Sequence, residues 1–224
     1  MQKIRGAIFD LDGTLIDSMG VWTQVDSDYL SKRNITVPDN LFMDIEEGNS
    51  FIEVARYFKQ KFSLEDSIEE IIQEWTDLVA DHYEHNIRLK PGVLEFLDLL
   101  KKHRIKTGIG TSNTLYLARK VLESNGILSY FDSIVTGCRD IKGKPYPDIF
   151  LKVAEELRIN PTECLVCEDV LAGIQAGKNA RMLVVGIYDT YSEPDKEEIN
   201  KMADFYGSDF YQIIDYCLRE KLFD

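Results

Sequence analysis

The chain has 224 residues, and its 26 Lys and Arg against 39 Asp and Glu give a formal charge of −13, which excludes the broad cationic footprint that nucleic acid demands. Apolar residues make up 44% and charged residues 29%, the balance of a globular protein with room for one large domain or for a core carrying an insertion. No apolar run nears the roughly 20 residues that span a bilayer, and the opening Lys3-Ile4-Arg5-Gly6-Ala7-Ile8-Phe9 is too short for a leader's apolar stretch, so no membrane partner and a cytoplasmic address are expected.

In chain order, Ile4 to Leu11 is a short apolar run ending in acidic residues and a glycine, which predicts a buried strand entering a tight turn. Residues 18 to 88 then hold no such run. They carry three stripes of helical period: Val21, Trp22, Val25 and Tyr29; Phe51, Val54, Ala55 and Phe58; Ile68, Ile71, Ile72, Trp75 and Val79. An all-helical subdomain inserted after the first strand is therefore expected, with Lys90-Pro91 marking the return to the core. Beyond it, short apolar runs at Lys106 to Gly110, Ser133 to Thr136, Cys164 to Cys167 and Met182 to Ile187 alternate with helical stripes, and Phe210 to Leu222 reads as a last helix. Such alternation predicts a doubly wound, Rossmann-like α/β core over residues 1–17 and 89–224, with helices on both faces of a parallel sheet. The helical insertion would span 18–88.

In open parallel sheets, ligands bind beyond the carboxyl ends of the strands. Four polar clusters fall at or just past those ends: Asp10 with Asp12, Thr111 with Ser112 and Asn113, Lys144, and Glu168 with Asp169. Each alone has an ordinary reading as a helix cap or a turn residue. Together, in this order on this pattern of strands, they supply what phosphoryl transfer needs. Asp10 can attack phosphorus to form an aspartyl phosphate, while Asp12, two residues on, can protonate the leaving oxygen and later deprotonate water. Oxygen ligands from Asp10, Asp169 and a backbone carbonyl suit Mg²⁺. Lys144 offsets the negative charge, and Thr111 with the donors of the following turn would hold phosphate oxygens.

At this point the residues resemble the haloacid dehalogenase superfamily, in its phosphatase and phosphomutase branch with a helical cap after the first strand. Phe9-Asp10-Leu11-Asp12-Gly13-Thr14-Leu15 resembles the family's first motif, Thr111 its second, Lys144 its third and Glu168-Asp169 its fourth. The resemblance implies Asp10 as nucleophile, Asp12 as acid and base, and Thr111 and Lys144 on phosphate. It implies magnesium on Asp10, the Asp12 carbonyl and Asp169, with Glu168 either a ligand or just behind the ligands. It also implies that Thr14 favours a phosphatase, acting on a small phosphorylated metabolite. The branch looks similar to beta-phosphoglucomutase, but the histidine that the mutase carries early in its first cap helix aligns with Trp22 here, so hydrolysis is preferred to mutase chemistry. Arg181, where relatives carry glycine, and Cys138-Arg139-Asp140 are further departures. A phospho-acceptor signalling module is the rival from another class, and Asp12 speaks against it because a signalling site needs no leaving-group acid.

Other residues are set aside. Cys164 and Cys167 have metal spacing, but three apart on a strand they face opposite ways. His82 and His85 lack a third ligand, and His103 suits a helix end. Trp22 stays open between packing and a substrate-facing role. One chain supplies every catalytic group, which is compatible with a monomer.

Overall fold

The computed structural model describes residues 3–38, 41, 50–137 and 141–223; Cys138, Arg139 and Asp140 lie outside them. Six parallel strands, β1 (Gly6–Phe9), β2 (Lys106–Thr111), β3 (Ser133–Thr136), β4 (Cys164–Glu168), β5 (Leu183–Ile187) and β6 (Phe205–Gly207), form one sheet in the order β3-β2-β1-β4-β5-β6. This is the doubly wound arrangement expected, with the chain reversing its direction of travel at β1. The ladder of β1 is shorter than its apolar run. Leu11 leaves it because Gly13, at φ +80°, turns the backbone, and Gly13 N–H closes the turn on Ile16 O.

Side-chain alternation divides the interior in two. Ala7 and Phe9 belong to one apolar cluster and Ile8 to the other; on β4, Leu165 and Cys167 follow the first, Cys164 and Val166 the second. The two cysteines thus do face opposite ways, each buried. Helices α4 (Val93–Lys102), α5 (Leu115–Ser124) and α9 (Phe210–Arg219) cover the first face, while α6 (Asp148–Leu157), α7 (Leu171–Asn179) and α8 (Lys196–Met202) cover the second.

Between β1 and α4 lie α1 (Met19–Ser31), α2 (Phe51–Lys61) and α3 (Ile68–His85). The sequences of α2 and α3 start with Ser50-x-x-Glu53 and Ser67-x-x-Glu70, and both form reciprocal capping boxes. Tyr29, Phe51, Phe58 and Trp75 pack edge to face among them. The segment leaves and rejoins the core through adjacent strands of chain: Ile16 bridges Leu89 antiparallel, Asp17 N–H bonds Arg88 O at 3.0 Å and Lys90 N–H bonds Leu15 O at 2.9 Å. Among the described residues no helix is long and apolar enough to cross a membrane.

Arg181 turns the chain from α7 into β5 at φ +60°, a left-handed conformation that costs a residue with a Cβ about 1–2 kcal/mol. That is the physical reason glycine suits this position. Arg181→Gly is expected to raise stability by about 0.5–1 kcal/mol, the relief of strain being partly cancelled by the freer unfolded chain. Urea denaturation checks it; a lower midpoint would mean that the turn is unstrained.

Candidate active site

Parallel register assembles the site. Phe9 pairs with Ile109 on one side and Cys167 on the other, so Asp10 stands level with Glu168, and Thr111 lies one residue further along its strand. Lys144 arrives from the chain between β3 and α6. Residues 134 apart in sequence meet here: Lys144 Nζ donates to Asp10 Oδ1 at 2.5 Å and also to Glu168 Oε1. All three side chains are buried, that of Lys144 being 3% exposed. Buried charge is tolerated only where it is paired, and one ammonium here serves two carboxylates.

The electrostatics follow from that crowding. Burial pushes the Asp10 carboxyl from 3.8 up to about 7; Lys144 pulls against it, while Glu168 and Asp12 add to the rise. Burial alone would lower the Lys144 ammonium, yet Asp10 and Glu168 together hold it above the usual lysine value. Asp169 is raised well above the carboxylate range, first by burial and then by the charges of Glu168 and Asp10.

Both oxygens of Glu168 are engaged. Oε1 accepts from Lys144, and Oε2 accepts the N–H of Asp169 at 2.7 Å and of Val170 at 2.9 Å, ahead of α7. A Cβ at position 173 would overlap this carboxylate, so the glycine there lets α7 approach it. Asp169 differs. Its Oδ1 accepts from Thr14 Oγ1 at 2.6 Å, but its buried Oδ2 meets no hydrogen-bond partner. A Cβ at Gly13 would overlap that orphaned oxygen. A hard cation fits this vacancy in the bonding pattern: carboxylates of Asp10 and Asp169 and a backbone carbonyl of the intervening turn suit Mg²⁺, which keeps several waters and takes few protein ligands. Among the described residues no group of three or more Asp, Glu, His or Cys side chains is arranged to hold a metal ion by itself.

Asp12 sits in other company. Its Oδ1 accepts from Ser18 Oγ at 2.7 Å, from Trp22 Nε1 at 3.2 Å and from the Tyr83 hydroxyl; its Oδ2 accepts from Asn113 Nδ2 at 2.9 Å. Of the two roles left open for Trp22, the structure shows the packing one, and it adds a hydrogen bond to Asp12. Its ring edges onto Phe51 and Tyr83 while its N–H reaches the acid. Asn113, expected on phosphate, has its amide on Asp12, and Ser112 offers its carbonyl to Phe51 N–H of the inserted helices at 3.2 Å. Thr111, 1% exposed, accepts the N–H of Asn113 at 3.1 Å. Ser18 and Tyr83 were not singled out from sequence. Tyr83 continues the α3 stripe four residues after Val79, where an aromatic reads as packing.

A model of the family described as haloacid dehalogenase-like hydrolase matches residues 7–187. Among curated proteins, hexitol phosphatase A of Escherichia coli is 31% identical over 202 residues, covering 88% of this chain and 89% of its own. Beta-phosphoglucomutase of Bacillus subtilis is 28% identical over 204 residues, with 82% and 83% covered. Among solved structures, beta-phosphoglucomutase from Clostridium difficile superposes with a TM-score of 0.81 at 26% identity, covering 98% of this chain and 97% of that one.

Proposed function

Because the chain belongs to the haloacid dehalogenase-like hydrolases, we propose that it hydrolyses a small phosphate monoester, of the polyol or sugar phosphate class, through a phosphorylated Asp10. What carries the proposal is a pair of carboxylates at one strand end with unlike surroundings. Asp10 is buried against the Lys144 ammonium, and Asp12 is held by neutral donors. Two carboxylates in different environments divide nucleophilic and acid–base work.

Lys144 holds one oxygen of Asp10, leaving the other to attack phosphorus. As that bond forms, the bond from phosphorus to the substrate oxygen breaks, and Asp12 passes its proton to the departing alkoxide. Asp12, now a carboxylate, takes a proton from water. The water oxygen attacks the phosphorus of the aspartyl phosphate, the bond to Asp10 breaks, and phosphate leaves. Thr111 and the turn after it face the phosphate oxygens. Asp10, Asp169 and the Asp12 carbonyl would hold Mg²⁺, with Glu168 behind them holding Lys144 in place. The ion supplies charge neutralisation on the phosphate oxygens.

Residues 18–88 act in this proposal as a cap that docks through Phe51 and Tyr83 on the loops carrying the site and excludes bulk water. The core of residues 1–17 and 89–224 carries every reacting group, so a cytoplasmic monomer suffices. Trp22 favours hydrolysis over mutase chemistry, since its N–H already engages Asp12.

A panel of phosphate monoesters, hexitol phosphates, glycerol 3-phosphate and hexose phosphates among them, tests this. Phosphate release is expected with Mg²⁺, falling at least about 100-fold with chelator and returning when Mg²⁺ is restored. Isomerisation of a hexose phosphate in the presence of its bisphosphate, without free phosphate, would establish a mutase instead.

A further inference from the structure

The Tyr83 hydroxyl has one proton to give and two lone pairs to fill. Trp22 Nε1 and Asn113 Nδ2 each donate to its oxygen at 2.9 Å. Both lone pairs are taken, and the proton is directed onto Asp12 Oδ1. The side chain is fully buried. Its backbone is fixed from the other side, where Ser124 Oγ of α5 donates to Tyr83 O at 3.1 Å. The ring is thus clamped between a core helix and the acid, two residues before α3 ends.

The two oxygens of Asp12 are unequally loaded. Oδ1 meets three donors, from Ser18, Trp22 and Tyr83, more than its two lone pairs can serve in full. Oδ2 meets one, from Asn113, and keeps a lone pair open. Only Oδ2 has room to carry an exchangeable proton.

We propose that Tyr83 is a positioning residue for the proton transfer: by engaging Oδ1 from the inserted helices, it turns Oδ2 of Asp12 toward the leaving oxygen. The proposal rests on the phosphatase reading above, in which Asp12 is the acid. Contact between the helical insertion and the core is thereby the same contact that aims the acid. A misdocked insertion leaves Asp12 unaimed.

Leaving groups differ in their need for a proton, and that separates positioning from packing. An alkyl oxygen must be protonated as it departs; 4-nitrophenolate departs as a stable anion. The readout is the ratio of kcat on the best alkyl ester of the panel to kcat on 4-nitrophenyl phosphate, both with Mg²⁺. Tyr83→Phe, which keeps the ring and removes only the hydroxyl, is expected to lower this ratio about 10- to 100-fold, within the range general acids supply. Trp22→Phe removes an N–H that touches both Tyr83 and Asp12, and is expected to move the ratio the same way by about 3- to 10-fold. It carries the test if Tyr83→Phe does not fold. Equal losses on both esters, or no loss on either, would overturn the role of Tyr83 and leave the phosphatase standing. A wild-type chain that cleaves neither ester would overturn both.

Discussion

Asp10→Asn is expected to lose turnover by at least about 10⁴-fold while keeping its fold, as removal of a nucleophile does in other covalent enzymes. The amide has the shape of the carboxyl and can still accept from Lys144 through its oxygen. What it lacks is the charge that attacks phosphorus. Burial and the neighbouring charges of Glu168 and Asp12 press on the Asp10 carboxylate, and Lys144 relieves it. Without divalent cation the neutral variant should therefore melt no earlier than the wild type and can melt later, the pattern of a site kept for chemistry at the expense of stability. Phosphate release and thermal melting of the same preparation check both halves. An active Asp10→Asn chain would remove Asp10 as the nucleophile.

Lys144→Ala should fail in both respects. It strips the counter-charge from two buried carboxylates, and breaking such an arrangement from one side costs about 3–5 kcal/mol. Turnover should fall at least about 100-fold, since the ammonium also balances charge where phosphate would sit. Lys144→Arg is not expected to rescue either property, because a planar guanidinium needs a wider slot than a side chain 3% exposed occupies. Magnesium should return part of the lost stability by occupying the same crowd of carboxylates. Urea denaturation with and without the ion measures this. A midpoint equal to the wild type would show that the ammonium is not the counter-charge.

Some of these groups were legible in sequence because their position is a local matter. Asp10, Asp12, Thr111 and Glu168-Asp169 each fall at the end of an apolar run, and a parallel sheet brings such ends to one edge whatever the connections do. The inserted helices were legible for a similar reason: apolar period and the Ser50 and Ser67 boxes are written within one or two turns. The sixth strand was not. Phe205–Gly207 is three residues long, half-buried at the sheet edge, and sets no alternation long enough to read. The work of Tyr83 was invisible for a deeper reason. Its ring obeys the α3 stripe, so the sequence accounts for it fully as packing, while its hydroxyl meets a partner 71 residues away. The partner of Asn113 was equally hidden: a polar residue after a strand suggests phosphate, and nothing local shows that its amide meets Asp12 101 residues away. Trp22 sat between the two cases, its ring readable and its N–H not.

The crossing where Ile16 lies against Leu89 has a consequence for how such a protein can change over generations. Because the segment departs and returns at neighbouring points, the sheet is indifferent to what is strung between them. Closing a longer excursion costs little, about 0.6 kcal/mol for each doubling of length, and neighbouring ends are the arrangement in which whole inserted units are tolerated. The excursion can be rewritten, lengthened or exchanged while the strand ends stay where they are. Whatever replaces it inherits one obligation, to place a donor on Asp12 Oδ1 when it settles. Diversity of substrate and constancy of chemistry are then separate inheritances, joined where the donors of the insertion meet Asp12.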